Sequence, residues 1–398
     1  MVAMAAKHLV FAPTGIQRAV LESGVYSVAG HGLGCKLKFK AKGEYFMRQV
    51  SLAVVLGAGI AVLASVGVAG QGSGTGLYKV LKTAKVGGEG GFDYVFADVE
   101  ARRLYIPRGG PSGQLTVFNL DTLELAGAIA GVSAGGATVD PVSHHGFSTT
   151  KPVTMWDAGT LKVIKTIDVD GRPDGILCDP YNQRVWVLSH QPPHATVIDA
   201  KDGTVVGTLD LGGAPEQAVS DGKGTIYVNI ADKANIAVVD AKKLSVTAHY
   251  DVSSKGTGGG GLAFDAKNHI LFAYYRQPAP EVVIVNANDG TIITTLPTGM
   301  GVDTVAFNPA TMEAISAEGG GTMTFIKENS PTSFAVEQTL ETMKGAKTLA
   351  LDTKTNHLLT MTAEFGPPAA DAQPGPAGRP PRGPMIQGSF SILMVGKP

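Results

Sequence analysis

The chain has 398 residues, enough for one large domain or two ordinary ones, with 52 glycines and only 17% charged side chains. That composition disfavours long charged helices and suits many short strands joined by tight turns. Residues 1–69 hold seven Lys or Arg against two Glu, a net of +5; the other 26 basic and 32 acidic side chains leave a body of net -6, without the basic surface that nonspecific nucleic-acid binding needs.

Residues 1–46 show no clear periodicity and read as an extension outside the translated protein, with Met47 as the true first residue; a basic cytoplasmic extension is the alternative. Residues 47–69 read as a secretory signal peptide. Met47-Arg48-Gln49 supplies the basic start, Val50 to Val68 carries no charge, and Gly67 and Ala69 are the small residues before a cleavage point. The apolar run is just long enough to cross a bilayer. Its Ala, Gly and Val content favours cleavage over anchoring, so no stable span is expected in the mature protein. Of the two cysteines, Cys35 precedes this segment. Cys178 is then alone and reads as a small buried residue on a strand.

From residue 77 onward the chain repeats. An Asp or Asn closes a short apolar stretch at Asp98, Asp140, Asp179, Asp221, Asp265, Asn308 and Asp352, with spacings between 39 and 44 residues. Each anchor is followed by a tight turn and a second apolar strand, as in Ile176-Leu-Cys-Asp-Pro-Tyr-Asn-Gln-Arg-Val-Trp-Val187. A second anchor ends a third strand at Asn119, Asp157, Asp199, Asp240 and Asn286, before another turn and a fourth strand. Four strands per unit of about 43 residues is the blade of a β-propeller. The apolar residues alternate or run in β-branched blocks rather than falling at i, i+3, i+4, which excludes a helical repeat.

Seven anchors predict an all-β, seven-bladed propeller with four antiparallel strands per blade. The last unit stops after a third strand, Phe390 to Val395, while Tyr78-Lys-Val-Leu-Lys-Thr-Ala-Lys-Val86 matches the fourth strand Leu161 to Val169. The N-terminal strand is therefore expected to complete the last blade and close the ring, leaving no open sheet edge.

These repeats resemble the YVTN family of β-propellers, including the YncE-like proteins. Tyr227-Val-Asn-Ile230 is the nearest match to the family's second strand, and Val197-Ile-Asp199 and Val238-Val-Asp240 match its third. The resemblance spans about residues 77–398 and implies the fold far more than an activity. The second and sixth units depart most, at His144-His-Gly-Phe147 and Glu318-Gly-Gly-Gly321.

Loops between the second and third strands share a face with the connections between blades, and function concentrates on such loops. They include Arg108-Gly-Gly-Pro-Ser-Gly113, His190-Gln-Pro-Pro-His194, Arg276-Gln-Pro-Ala-Pro-Glu281 and a Pro/Gly-rich insertion at 366–388, read as an extended flap. Five positions before each anchor stand Asp93, Gly135, Asp174, Glu216, Gly260, Asp303 and Lys347. The four acids are expected around the channel mouth, either as turn caps or as a site for a cation or cationic ligand. The candidate ligand-binding set is Asp93, Arg108, Asp174, His190, His194, Glu216, Arg276 and Asp303. His190 and His194 have a spacing compatible with a transition metal, but read as solvated loop histidines, and no metal is assigned.

Gly256-Thr-Gly-Gly-Gly-Gly261 formally matches a dinucleotide fingerprint but lies between strands with no following helix, so it is rejected. No catalytic serine elbow, zinc-protease motif, phosphate loop or haem-attachment motif is present, and no cofactor is named. The leading expectation is a periplasmic or secreted monomer that binds a small molecule or partner protein on its loop face. A lactonase-like hydrolase comes second, with Glu216 or Asp174 as base and Arg108, Arg276 and His190 polarising a carbonyl. A quinone-dependent dehydrogenase-type propeller comes third.

Overall fold

The computed structural model describes residues 8–10, 16–21, 24–30, 34–41, 44–51, 78–110, 113–369 and 383–398, in two compact units, Met1–Thr75 and Gly76–Pro398. In the first unit, His8–Val10, Ile16–Leu21, Gly24–Gly30, Gly34–Ala41 and Glu44–Ser51 pair in chain order as one five-stranded antiparallel sheet. The sequence of this segment gave no sign of that pairing. Of the expected export segment, residues 52–69 lie outside the described residues.

The second unit is a seven-bladed β-propeller. Each blade is a four-stranded antiparallel sheet whose strands follow one another in chain order, except in the last. The inner strands are Phe96–Asp98, Ala137–Val139, Pro173–Asp179, Pro215–Ser220, Thr257–Asp265, Val302–Asn308 and Leu349–Asp352. No helix occurs among the described residues. None is therefore long and apolar enough to cross a membrane.

The repeated acids turn the chain. In each blade the first anchor accepts a backbone N–H two or three residues on: Asp98 from Ala101, Asp140 from Ser143, Asp179 from Tyr181, Asp221 from Lys223, Asp265 from Lys267, Asn308 from Ala310 and Asp352 from Lys354. The second anchors do the same, as Asn119 does for Asp121 and Asp157 for Thr160. Four residues past most anchors the backbone turns left-handed, at Arg102, His144, Gln183, His269, Met312 and Asn356 and at Leu123, Leu161 and Leu244. An Asx turn followed by one left-handed residue reverses the chain within a few residues. The repeat period is thus a record of turn chemistry.

The second and third strands of each blade are buried along most of their length, while the fourth alternates or faces solvent. Seven hydrophobic clusters result, one at each junction between neighbouring blades. The cluster between blades one and two explains the odd second unit. Gly146 pairs directly opposite Trp156, and a Cβ on Gly146 would come within 2.1 Å of the Trp156 ring. The fully buried Trp156 packs on Tyr105 of blade one at that price in side-chain volume.

Closure is as expected. Lys79–Lys85 pairs antiparallel with Ser391–Gly396 and supplies the outer strand of blade seven. Tyr78 fastens this strand to blade six. Its ring stacks on Phe325 at 3.9 Å, and its backbone N–H and C=O are both paired with the Gln338 carboxamide at 2.8 Å. Its hydroxyl donates to buried Glu313, which Lys397 also reaches at 3.1 Å.

Candidate functional site

The inner strands start on the face that carries the loops between second and third strands, so the residues five before each anchor converge at the channel mouth. Asp93, Asp174, Glu216, Asp303 and Lys347 all meet there, joined by Arg276 from the end of the second strand of blade five and His190 from just past that of blade three.

The mouth has two halves. In the first, Lys347 of blade seven reaches Asp303 of blade six at 2.5 Å and Asp93, which precedes blade one, at 3.1 Å. Arg276 donates to Asp303 at 3.1 Å and to the carbonyls of Gly259 and Val302. Burial pulls the Lys347 ammonium down, but the carboxylates of Asp303 and Asp93 outweigh it, and its pKa is raised. Burial likewise works against ionised Asp303, yet Lys347, hydrogen bonding and Arg276 hold its carboxyl below the usual range. Asp93 goes the other way. Burial first, then the negative charge of Asp303, push it up to about 8. Two carboxyls beside one ammonium share their charge unequally.

In the second half, His190 Nε2 lies 3.2 Å from Asp174 Oδ2 and 3.9 Å from Glu216 Oε1. The three ligand atoms lie within 4.8 Å of one another. Tyr94, on the opposite side of the channel, donates its hydroxyl to Glu216 Oε2 at 3.1 Å. Burial, then Asp303, raise the Glu216 carboxyl despite Arg276 and His190. Burial and the surrounding carboxylates push the Tyr94 phenol well up. Thr149 of blade two donates to the Asp174 carbonyl at 2.6 Å and fixes the start of that inner strand. Below the mouth, Gln217 of blade four reaches across the channel. Its carboxamide accepts from the N–H of Leu262 and Val305 and donates to the Val305 carbonyl.

Two expected members stand elsewhere. Arg108 is buried with its guanidinium 3.6 Å over the Phe390 ring, donating to the carbonyls of Gly90 and Gly87. Burial lowers its pKa to about 10. It braces the segment entering blade one. His194 turns to Asp210 at 2.5 Å, away from His190. The insertion is pinched at its base by Gly366 N–H to the Pro384 carbonyl and Ile386 N–H to the Glu364 carbonyl, and residues 370–382 lie outside the described residues. Cys178 is partly buried beside Asp140, and burial, then that acid, drive its thiol up, out of nucleophilic range.

Sequence reasoning missed Tyr94 and passed over Lys347. Lys347 stood in the same sevenfold register as the acids, which was signal enough. Tyr94 is legible only once blade one is known to face blade four across the channel. A surface cavity of about 700 Å³ lies on the opposite rim around Tyr181, Lys243 and Tyr250. Charged and phenolic side chains line it, but they serve the local turns: Tyr227 and Tyr250 both donate to the Ala287 carbonyl, Lys243 pairs with Asp240, and Asp221 accepts from the Lys223 N–H. The mouth instead gathers side chains from blades far apart in the chain, which makes it the better candidate.

No protein-family model matches the chain, and no curated protein matches it. Solved structures do. A chain of the "Crystal Structure of Mitotic Checkpoint Complex" superposes with TM-score 0.62 at 11% identity, over 74% of this chain and 92% of that one. A chain of Kuenenia stuttgartiensis hydrazine synthase superposes with TM-score 0.59 at 14% identity, over 68% of this chain and 92% of that one. At such identities the likeness is one of fold.

Proposed function

We propose that this propeller is an exported binding scaffold of the YVTN-repeat kind that takes a small ligand bearing positive charge at its channel mouth. The carrying observation is the imbalance of the mouth. Lys347 and Arg276 serve Asp93 and Asp303, while Asp174 and Glu216 face each other across His190 and, among the described residues, pair with no ammonium or guanidinium. Six of the seven blades, or the strands leading into them, build a rigid rim, which pre-organises those carboxylates for a cation.

Export rests on the basic start at Met47-Arg48, the uncharged stretch to Val68 and the small residues before Gly70. A periplasmic or secreted location follows. Scaffold is favoured over hydrolase because the two arginines needed to polarise a carbonyl are committed elsewhere, Arg108 beneath Phe390 and Arg276 to Asp303 and two carbonyls.

Native mass spectrometry of the mature protein from its own export compartment tests both parts. The expected mass begins at Gly70 and carries an added species that an Asp174→Asn/Glu216→Gln variant loses. Bare protein in both, or an uncleaved chain, contradicts the ligand and export readings respectively.

A further inference from the structure

We infer that Asp174, His190 and Glu216 form a binding site for one divalent transition-metal ion of the zinc type. This deepens the binding reading above and rests on the mouth being the place where the ligand sits. Ligand atoms bound at about 2.0–2.2 Å around one such ion stand about 3–4 Å from each other. His190 Nε2 stands 3.2 Å from Asp174 Oδ2 and 3.9 Å from Glu216 Oε1, spacings of that size.

The surrounding contacts leave those three atoms facing the gap. Tyr94, only 9% exposed, occupies Glu216 Oε2 and leaves Oε1 toward His190. Such a hydrogen bond to the far oxygen is how proteins orient a metal-binding carboxylate. Thr149 ties the Asp174 backbone. The ring position beside Asp174 is Gly135, where a Cβ would stand 3.0 Å from Asp174 Oδ1. A glycine there keeps the carboxylate uncrowded.

Charge points the same way. Two carboxylates and one imidazole carry up to two negative charges, and among the described residues neither carboxylate pairs with a Lys or Arg, whereas the neighbouring half holds two such cations. A divalent ion would balance the deficit. Three protein ligands including an imidazole suit zinc and its neighbours, with at least one position open for water or a further ligand. Calcium and magnesium prefer more oxygen ligands and no imidazole. Arg172 is exposed, and its Nη2 lies 3.5 Å from His190 Nδ1. With metal on Nε2, Nδ1 carries the proton and Arg172 turns outward.

Calorimetric titration of the chelator-stripped mature protein with zinc chloride tests the site. One ion per chain is expected, with affinity lowered at least tenfold in His190→Ala and in Asp174→Asn and unchanged in His194→Ala. Metal-free melting temperatures of the variants check that each is folded. No zinc binding by the folded wild type, binding that survives His190→Ala, loss in His194→Ala, or calcium bound as tightly as zinc would each overturn the inference. An organic species on the wild type that Asp174→Asn loses, with no zinc bound, would overturn the metal and leave the scaffold reading standing. Neither species bound would remove both.

Discussion

The two halves of the mouth are built from equivalent positions of one repeat, yet they differ in what completes them. Around Asp303 the ring supplies its own cations, Lys347 from the next blade and Arg276 from the blade before. Around Asp174 and Glu216 it supplies an imidazole and a phenol. Desolvated carboxylates are costly unless charge or hydrogen bonds compensate. The first half is therefore completed by the fold itself, and on the proposed reading the second is completed by a ligand.

The strongest way to break this comparison is to open the ring. The contact between Lys347 and Asp93 joins blade seven to the segment that enters blade one, so it depends on closure. Deleting residues 77–88 removes the strand paired with Ser391–Gly396 together with the Tyr78 anchor. Loss of cooperative thermal unfolding is expected, and an unchanged melting temperature would refute the closure account.

Point changes should then separate the halves. Lys347→Met leaves two partly buried carboxyls without their shared ammonium. It should cost about 1–3 kcal/mol in chemical denaturation, less than a fully buried pair because the lysine is partly solvated. His190→Ala should cost less, under about 1 kcal/mol, because it removes a partly exposed imidazole rather than an ammonium shared by two carboxyls. Equal losses from the two would erase the distinction.

Acidity sharpens it further. Asp93 titrates near 8 in the folded protein, above its ordinary value of 3.8. The folded state then binds the extra proton between those values, so stability falls as pH rises across that window. Asp303 is depressed, and its contribution is present above the ordinary value and lost only as pH falls through its folded pKa, below 3.8. Asp93→Asn should flatten the fall in melting temperature between about pH 5 and 8 relative to wild type. Glu328, pushed up by burial to about 7, and Glu216, also raised by burial, slope the same way in both proteins, so the difference reports on Asp93 and its neighbour Asp303. Parallel curves would contradict the assignment. The smallest effect expected is from Arg172→Ala, which removes a nearby positive charge and should tighten zinc binding by roughly two- to fivefold, as an exposed charge interaction allows.

The propeller was legible because its period is set by local turn chemistry. Asp98, Asp140 and their equivalents must cap a turn at the same place in every blade, so the spacing survives where strand sequences diverge. Closure was legible because Tyr78 to Val86 copies a fourth strand that the last unit lacks. The acidic ring followed from the same register. What sequence did not reveal is transverse. Tyr94 meets Glu216 only across the channel, His194 finds Asp210 just past the neighbouring strand, and Arg108 finds Phe390, 282 positions further along the chain. Periodicity says where along a blade a side chain starts. It does not say which partner wins it.

The most direct test of the divided mouth is anomalous diffraction from crystals of the mature protein soaked in zinc. The account predicts one peak within bonding distance of Asp174 Oδ2, His190 Nε2 and Glu216 Oε1, and none between Asp93 and Asp303. A peak at Asp93 and Asp303, or a mouth with no peak at all, would contradict it.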